Sequence, residues 1–522
     1  MSAPPQRWLI LGVLASSLLL IAMDATVLNV ALPTLAADLR PGATELLWIV
    51  DAYGLVLAGL LVAMGGLGDR IGRRRLLTAG LVVFGGASGL AALAQTTEQL
   101  TAARVLLGVG GAMVMPSTLS VLRTVFPDER ERAVALGVWS AVAAGGFALG
   151  PIVGGAILEV ADWGWVFAAQ LPVVGAALVA VRRLVPESRN PDPGPWDPAG
   201  VALSIAGMVA LVWGVKELGK EGLEPAGVAA LALGGALLAA FVARQARSSH
   251  PLVDVHLFRD RRFASSTLAV LFAFFGLGGL LLVLTQHLQL VEGYGPLEAG
   301  VRVLPLALAA LVAAPLTDRI VRRLGANVAV GGSFLVVAGG LGALAFLDAG
   351  TSYWLIGGSL VALGAGAGVA ATAGSAAILG SVPPERAGGA AAVQETAFEL
   401  GGALGVAVLG SIMASAYQDA LGALPGLPAA AQATAREGLP GAADVAAGVG
   451  GAAGAALLDL ARAAFVDGLG VTVLVAAGVM LAGALAAFAL MPGRTRAPAP
   501  GAAPPGSSDP VAAADRRAKV GA

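Results

Sequence analysis

The sequence predicts an all-α integral membrane protein. Three features carry that expectation: the composition, a succession of long apolar runs, and the placement of the basic residues between them. Of 522 residues, 57% are hydrophobic and only 12% are charged, with a mean hydropathy of +0.83. A water-soluble domain carries about 25% charged residues. Crossing the hydrocarbon takes about 20 apolar residues per helix, so fourteen crossings use roughly 280 residues and leave little chain for a soluble domain. A net charge of −1, with no basic domain set apart, excludes a nucleic-acid partner. The chain has no cysteine, which excludes disulfides, thiolate metal sites and cysteine nucleophiles. His250, His256 and His287 are too scattered for a metal site. No metal and no cofactor is expected.

The first apolar run follows directly on Arg7. It is too long for the core of a signal peptide and many others follow it, so it reads as a retained first span. In order, the predicted spans are 8–33, 46–67, 76–95, 100–122, 133–158, 166–185, 198–215, 225–243, 263–286, 297–317, 325–347, 353–379, 390–414 and 468–491. Basic residues collect on the cytoplasmic side of a membrane. With the N-terminus inside, 25 Lys and Arg fall in inner segments and 5 in outer ones: Arg40, Lys216, Lys220, Arg436 and Arg462. Arg104 and Arg302 lie within spans, Arg302 near an outer end from which it snorkels. Both termini are therefore expected in the cytoplasm of a multi-pass cell-membrane protein. Trp48, Trp163, Trp165, Tyr294, Tyr353 and Trp354 sit near the outer ends, at the depth amphipathic rings prefer. Residues 417–466, rich in Ala, Gly and Pro, form a long outer loop with room for helix, and 492–522 reads as a disordered cytoplasmic tail.

Asp69-Arg70-Ile71-Gly72-Arg73-Arg74 recurs as Asp318-Arg319-Ile320-Val321-Arg322-Arg323, 249 residues later. Each copy follows the second span of a six-span group once spans seven and eight are set aside. The chain then divides as 6+2+6: a bundle over 8–185, a two-helix insert over 186–262, and a second bundle over 263–491. Parallel six-span halves are one of the transporter architectures. Inner loops also collect arginines without any repeat, and the shared order of residues is what favours duplication.

Gly65-Gly66-Leu67-Gly68-Asp69-Arg70-Ile71-Gly72-Arg73-Arg74-Arg75 resembles the G-x-L-x-D-R-x-G-R-R signature of the major facilitator superfamily. The fifth span carries Gly146-Phe147-Ala148-Leu149-Gly150-Pro151-Ile152-Val153-Gly154-Gly155, which is similar to that superfamily's antiporter motif. Asp24-Ala25-Thr26-Val27-Leu28-Asn29-Val30-Ala31-Leu32-Pro33 resembles an element of its fourteen-span drug:proton antiporters. The stretches Leu47–Tyr53 (LWIVDAY) and Gln394–Gly401 (QETAFELG) resemble the quaternary-ammonium multidrug exporter branch. The likeness extends over roughly residues 8–492. It implies a major facilitator fold that exports lipophilic cations in exchange for protons, driven by the proton motive force. Two departures stand out. Ala310 occupies a tenth-span position where some members carry an acid, which bears on divalent cations. The segment Trp163-Gly164-Trp165-Val166-Phe167-Ala168-Ala169-Gln170-Leu171-Pro172 has Gln170 where the family's motif has Asn.

An ionisable group inside a membrane costs about 2.5–3.5 kcal/mol on insertion scales and needs a reason to be there. Asp24, Glu395 and Glu399 qualify. Asp24 lies sixteen residues beyond Trp8, about 24 Å along a helix. An acid at that depth is neutralised by a proton or by a cation, and competition between the two couples their movements. The bland alternative is an acid satisfied by Asn29, Thr26 or a neighbouring helix. Glu395 and Glu399 are four apart and share one helix face, with Phe398 near enough to offer an aromatic surface. Placement near the inner interface is the plainer reading of that pair. Asp51, about four residues into the second span, is a solvated mouth residue or an access acid, and the resemblance favours the second. The resemblance also makes Arg104 a charge partner or proton-release residue. It gives Gly65, Asp69, Arg70, Gly72, Arg73 and Arg74 a gating role beyond orientation, with Asp69 capping a helix or pairing across the halves in one conformation. The glycines at 146, 150, 154 and 155 explain themselves by close packing. A bend at Pro151 that seals one route is the family's implication.

No G-x-x-x-x-G-K-[ST] loop is present, so nucleotide energy is not expected. A membrane enzyme or sensor would need a polar catalytic cluster, and none is visible. The remaining alternative is a dedicated exporter of one endogenous or self-made antibiotic or lipid-like metabolite. A monomer is expected to suffice, with the bilayer, protons and lipophilic cations as its only partners.

Overall fold

The computed structural model describes residues 4–189, 197–221, 224–249, 251–348, 351–382, 387–491 and 493. The expected tail lies, apart from Gly493, outside them, as do Arg386 and His250. Fourteen helical stretches are long and apolar enough to cross a membrane, as the sequence predicts. They are α1 (Pro4–Leu39), α2 (Ala43–Ile71), α3 (Arg73–Ala92), α4 (Thr97–Val125), α5 (Glu129–Leu158), the consecutive pair α6 (Gly164–Ala168) and α7 (Gln170–Leu184), α8 (Pro198–Glu221) and α9 (Pro225–Arg247). After these come α10 (Arg261–Gln286), α11 (Pro296–Leu324), α12 (Ala326–Leu344), α13 (Tyr353–Gly380) and α14 (Ala387–Leu421). Two short helices, α15 (Ala429–Glu437) and α16 (Leu439–Val449), precede the last crossing, α17 (Gly451–Leu490).

Hydrocarbon offers no hydrogen bonds, so each crossing segment satisfies its backbone within itself and becomes a helix. Polar N-caps fix where several begin. Thr96 accepts from Gln99 N at 3.3 Å, Asp128 from Arg130 N at 3.0 Å, and Asp260 from Arg262 N at 2.7 Å. Pro172 in the first turn of α7 cannot donate to the preceding turn, which accounts for the α6–α7 break. One apolar core draws on α1–α7 and another on α10–α17. The α8–α9 pair packs through α8 against both α2 and α14, around Leu55, Ala58, Met208, Val212, Ala403 and Ala407. Asp197 anchors the start of α8: it accepts from Gly200 N at 2.9 Å, Gln245 Nε2 at 3.0 Å and Arg244 Nε at 2.8 Å.

The repeat extends to side-chain geometry. Arg73 Nη2 lies 2.9 Å from Asp69, and Arg322 pairs with Asp318 in the same i,i+4 relation. The copies end differently, because α2 stops at Gly72 (φ 109°) whereas α11 runs a turn further to Gly325 (φ 92°). Both glycines hold a backbone conformation that a side chain disfavours.

Two boundaries depart from expectation. Much of the predicted loop 417–466 is helical, since α14 reaches Leu421 and α17 starts at Gly451. Lys216 is not an outer-segment charge: it lies within α8 and is 1% exposed, because α8 continues past the apolar run that ends at 215.

α1 and α10 meet at the end where α1 gives way to α2. Thr285 Oγ1 donates to Asn29 O and Gln289 Nε2 to Val30 O, each at 2.9 Å. A Cβ on Gly155 would lie 2.6 Å from Leu297 Cα, and one on Gly410 would lie 2.5 Å from a Leu47 methyl. The first approach, onto backbone, requires glycine; the second meets only the end of a leucine side chain. They join α5 to α11 and α14 to α2.

Candidate functional site in the bundle interior

Asp24 is fully buried on α1. Arg104 of α4 places Nη1 at 2.5 Å from one carboxylate oxygen, and Gln170 of α7 donates to the other at 3.0 Å. Each partner is held in turn. Arg104 Nε donates to Ile49 O at 3.0 Å and its guanidinium lies 4.6 Å from the centre of the Tyr53 ring. Ser88 donates to Gln170 Oε1 at 3.3 Å, and Tyr53 OH donates to Ile21 O at 3.2 Å. Five helices thus converge on one carboxylate. A buried charge survives only when paired and hydrogen-bonded, and this one is. Thr26 and Asn29 are not its partners: Thr26 donates to Phe147 O, and the Asn29 carbonyl accepts from Thr285. In this conformation Asp24 is closed to water.

Glu395 and Glu399 differ. Both are partly accessible on α14, and neither has a hydrogen-bond or ion-pair partner among the described residues. Glu399 faces α2 near mid-length, where a Cβ on Gly54 would lie 3.1 Å from its Oε2. That sets Glu399 away from the ends of α2. Phe398 packs on Phe274 of α10, ring centres 4.3 Å apart.

Asp51 is not a solvated mouth residue. It is 2% exposed, with Lys216 Nζ 2.8 Å from Oδ2, and that ammonium sits 4.0 Å from the centre of the Trp48 ring. Burial is possible because the lysine of α8 neutralises the acid. Trp48 was expected only as an interface anchor.

The loop motif docks on α4 and on the segment that follows α7. Asp69 pairs with Arg73, whose Nη1 reaches Thr124 at 3.0 Å, and Arg73 N donates to Ser188 O at 2.8 Å. Arg74 N donates to Glu187 Oε1 at 3.1 Å, and a Cβ on Gly72 would lie 2.6 Å from that same oxygen. Arg70 lies in the last turn of α2, and Gly65 faces Pro116 at ordinary contact distance. In the antiporter motif, Gly146, Gly150 and Gly154 meet Ala22, Thr26 and Val27 of α1, while Gly155 meets α11. Pro151 lies inside α5, which continues through it, and its carbonyl abuts Gly300. Arg302 lies 3.8 Å from the centre of the Tyr294 ring and 2.5 Å from Glu298.

Sequence reasoning missed Gln170 and Lys216 as site residues. A signal for Gln170 existed, since it stands where the family's motif has an amide. Lys216 gave none, being one residue past an apolar run.

Fourteen candidate crossings, two apolar cores and acids buried among the helices describe a multi-pass membrane protein. Residues 14–406 match the Major Facilitator Superfamily, and the chain belongs to it. It is 46% identical over 482 residues to the multidrug efflux pump LfrA of Mycolicibacterium smegmatis, covering 92% of this chain and 95% of that one. It is 37% identical over 462 residues to the methyl viologen resistance protein SmvA of Salmonella typhimurium, covering 88% and 93%. Among solved structures, a bacterial homologue of the human lysosomal transporter Spinster superposes with a TM-score of 0.63 at 20% identity, over 95% of this chain and all of that one. That likeness concerns the fold alone. The chain is an efflux transporter of the cell membrane, and it moves small molecules.

Proposed function

We propose that the chain exports lipophilic cations in exchange for protons by alternating access. The observation that carries this reading is the state of Glu395 and Glu399: two carboxylates one turn apart, at mid-depth, partly accessible and unpartnered. Such groups take up a proton or an organic cation, and each excludes the other. The Phe274–Phe398 pair offers an apolar face beside them. Asp24, clamped by Arg104 and Gln170, is a second proton site that opens only when those contacts part. The methyl viologen named for the SmvA relative is an organic dication, which supports cations as a class and not the number of charges on those this chain carries.

The moving bodies are the bundles 8–185 and 263–491, with the insert 186–262 riding on the seam between α2 and α14. Both termini are cytoplasmic, as the basic residues require, so the end closed here is the outer one and the conformation faces inward. The stripe Gly146–Gly155 forms the outer seal through α1 and α11. The loop from Gly65 to Arg74, docked on Glu187 and Ser188, gates when the inner side closes. The chain acts as a monomer.

Energised inside-out membrane vesicles carrying the protein test the reading, because a pH gradient, acid inside, should load ethidium into the lumen. An uncoupler should abolish the loading. Ethidium uptake that survives the uncoupler would contradict proton exchange.

A further inference from the structure

We propose that Trp48 and Asp51 form a second cation subsite, that Lys216 is its built-in occupant, and that by filling it the chain restricts its interior to singly charged cations. This rests on the cation-export reading above. The Lys216 ammonium lies 2.8 Å from the Asp51 carboxylate and 4.0 Å from the centre of the Trp48 ring. A carboxylate beside an aromatic face is the environment in which proteins hold organic ammonium ions. Here a lysine tethered to α8 supplies the ammonium.

Two features separate this pair from a structural anchor. Asp24 is held by both Arg104 and Gln170, whereas Asp51 and Lys216 make no hydrogen bond to any other group among the described residues. A single contact is exchangeable in a way that a network is not. The position also matters. Gly54, which Glu399 faces, is three residues inward from Asp51 on the same face of α2, about 4.5 Å along the helix. The subsite is therefore the next anionic position beyond the paired glutamates, on the seam lined by α2, α8 and α14. An extended dication reaches from one to the other only if Lys216 is absent.

The test compares octamethylene diammonium, whose end reproduces a lysine side chain, with octylammonium as its singly charged match. Binding of both is measured on the purified full chain in nanodiscs, as wild type, Lys216→Ala and Asp51→Asn/Lys216→Ala. The affinity ratio of diammonium to monoammonium should rise about tenfold in Lys216→Ala and return to the wild-type value when Asp51→Asn is added. An unchanged ratio, or a rise that survives Asp51→Asn, would overturn the subsite. A lysine that merely pins α8 to α2 would change stability and leave the ratio alone. Should Lys216→Ala not fold, butylammonium at millimolar concentration replaces the missing side chain. Recovery of folded protein supports the subsite, and no recovery counts against it. Wild-type protein that binds neither ion would sink the cation-export reading along with the subsite, a result distinct from an unchanged ratio.

Discussion

Asp24 and Arg104 act as one unit at 2.5 Å in a closed interior, so removing either charge strands the other. Breaking a buried pair from one side costs about 3–5 kcal/mol. Asp24→Asn should therefore lower thermal stability sharply and abolish ethidium efflux. Asp24→Asn/Arg104→Gln should recover most of the stability and none of the efflux. Transport at the wild-type rate by the double variant would remove Asp24 from the mechanism. Glu395 and Glu399 should separate functionally, since only Glu399 abuts Gly54 across the seam. Glu399→Gln is expected to lower efflux of every cation tested, and Glu395→Gln to affect bulky substrates more than small ones. Identical losses across a dye panel would point to a folding defect instead. These acids were legible in the sequence because a charge inside an apolar run is costly and needs a reason to be there. Their partners were not. Which of Thr26, Asn29, Gln170 or Arg104 reaches Asp24 depends on how separate helices are turned against one another, and a single chain of letters does not encode that locally. Lys216 shows the same blind spot from the other side: next to an apolar run it reads as a loop charge, and only the approach of α8 to α2 makes it an internal counter-ion.

The outer seal proposed above rests on α5 and α11 approaching to glycine distance at Gly155. Gly155→Leu should wedge them apart, because even a Cβ there would lie 2.6 Å from Leu297 Cα. The native chain has no cysteine, so a Gln289→Cys probe is free of background. Labelling of that probe by a membrane-impermeant thiol reagent from outside should increase in the Gly155→Leu background, while ethidium efflux falls. Unchanged labelling would mean that Gly155 does not hold the seal. At the other end, the insert is anchored by Asp197, which the Arg244 hydrogen bond, with Gly200 N and Gln245, holds below the usual carboxylate range. The stabilisation from a lowered acid is present above its unfolded pKa and is lost as pH falls through the folded value. Asp197→Asn should thus cost about 1–3 kcal/mol at neutral pH, and the gap to wild type should close below about pH 4. A gap that persisted in acid would show that charge is not what Asp197 contributes. Helix number was readable from hydropathy because oil forces every crossing into the same solution. Helix ends were harder, since α1, α2 and α17 run on beyond their apolar stretches and are finished by packing and caps. The helices α15 and α16 were hidden by an Ala- and Gly-rich composition that fits loop or helix equally.

At the scale of the whole molecule, the repeat around Asp69 and Asp318 and the two apolar cores support the proposal of two bodies that rock about the seam where α2 meets α14 and α5 meets α11. One proton entering down 100 mV is worth about 2.3 kcal/mol, and each pH unit adds about 1.4 kcal/mol. Exchange of one proton for one monovalent cation moves no net charge, so the voltage cancels and the pH difference alone sustains the gradient, about 1.4 kcal/mol per unit; a second proton would add the voltage. Membership of the superfamily was legible from motifs at loop and helix positions. The direction in which the molecule is closed was not, because both conformations share one sequence. The central claim is that Glu395 and Glu399 trade protons for cations at a common site, and proton release on binding measures that trade. Ethidium added to the purified chain in weakly buffered solution near neutral pH, with an indicator dye present, should release protons from the wild type. Glu395→Gln/Glu399→Gln should release none. Binding of ethidium without acidification, or equal acidification from the double variant, would contradict the account.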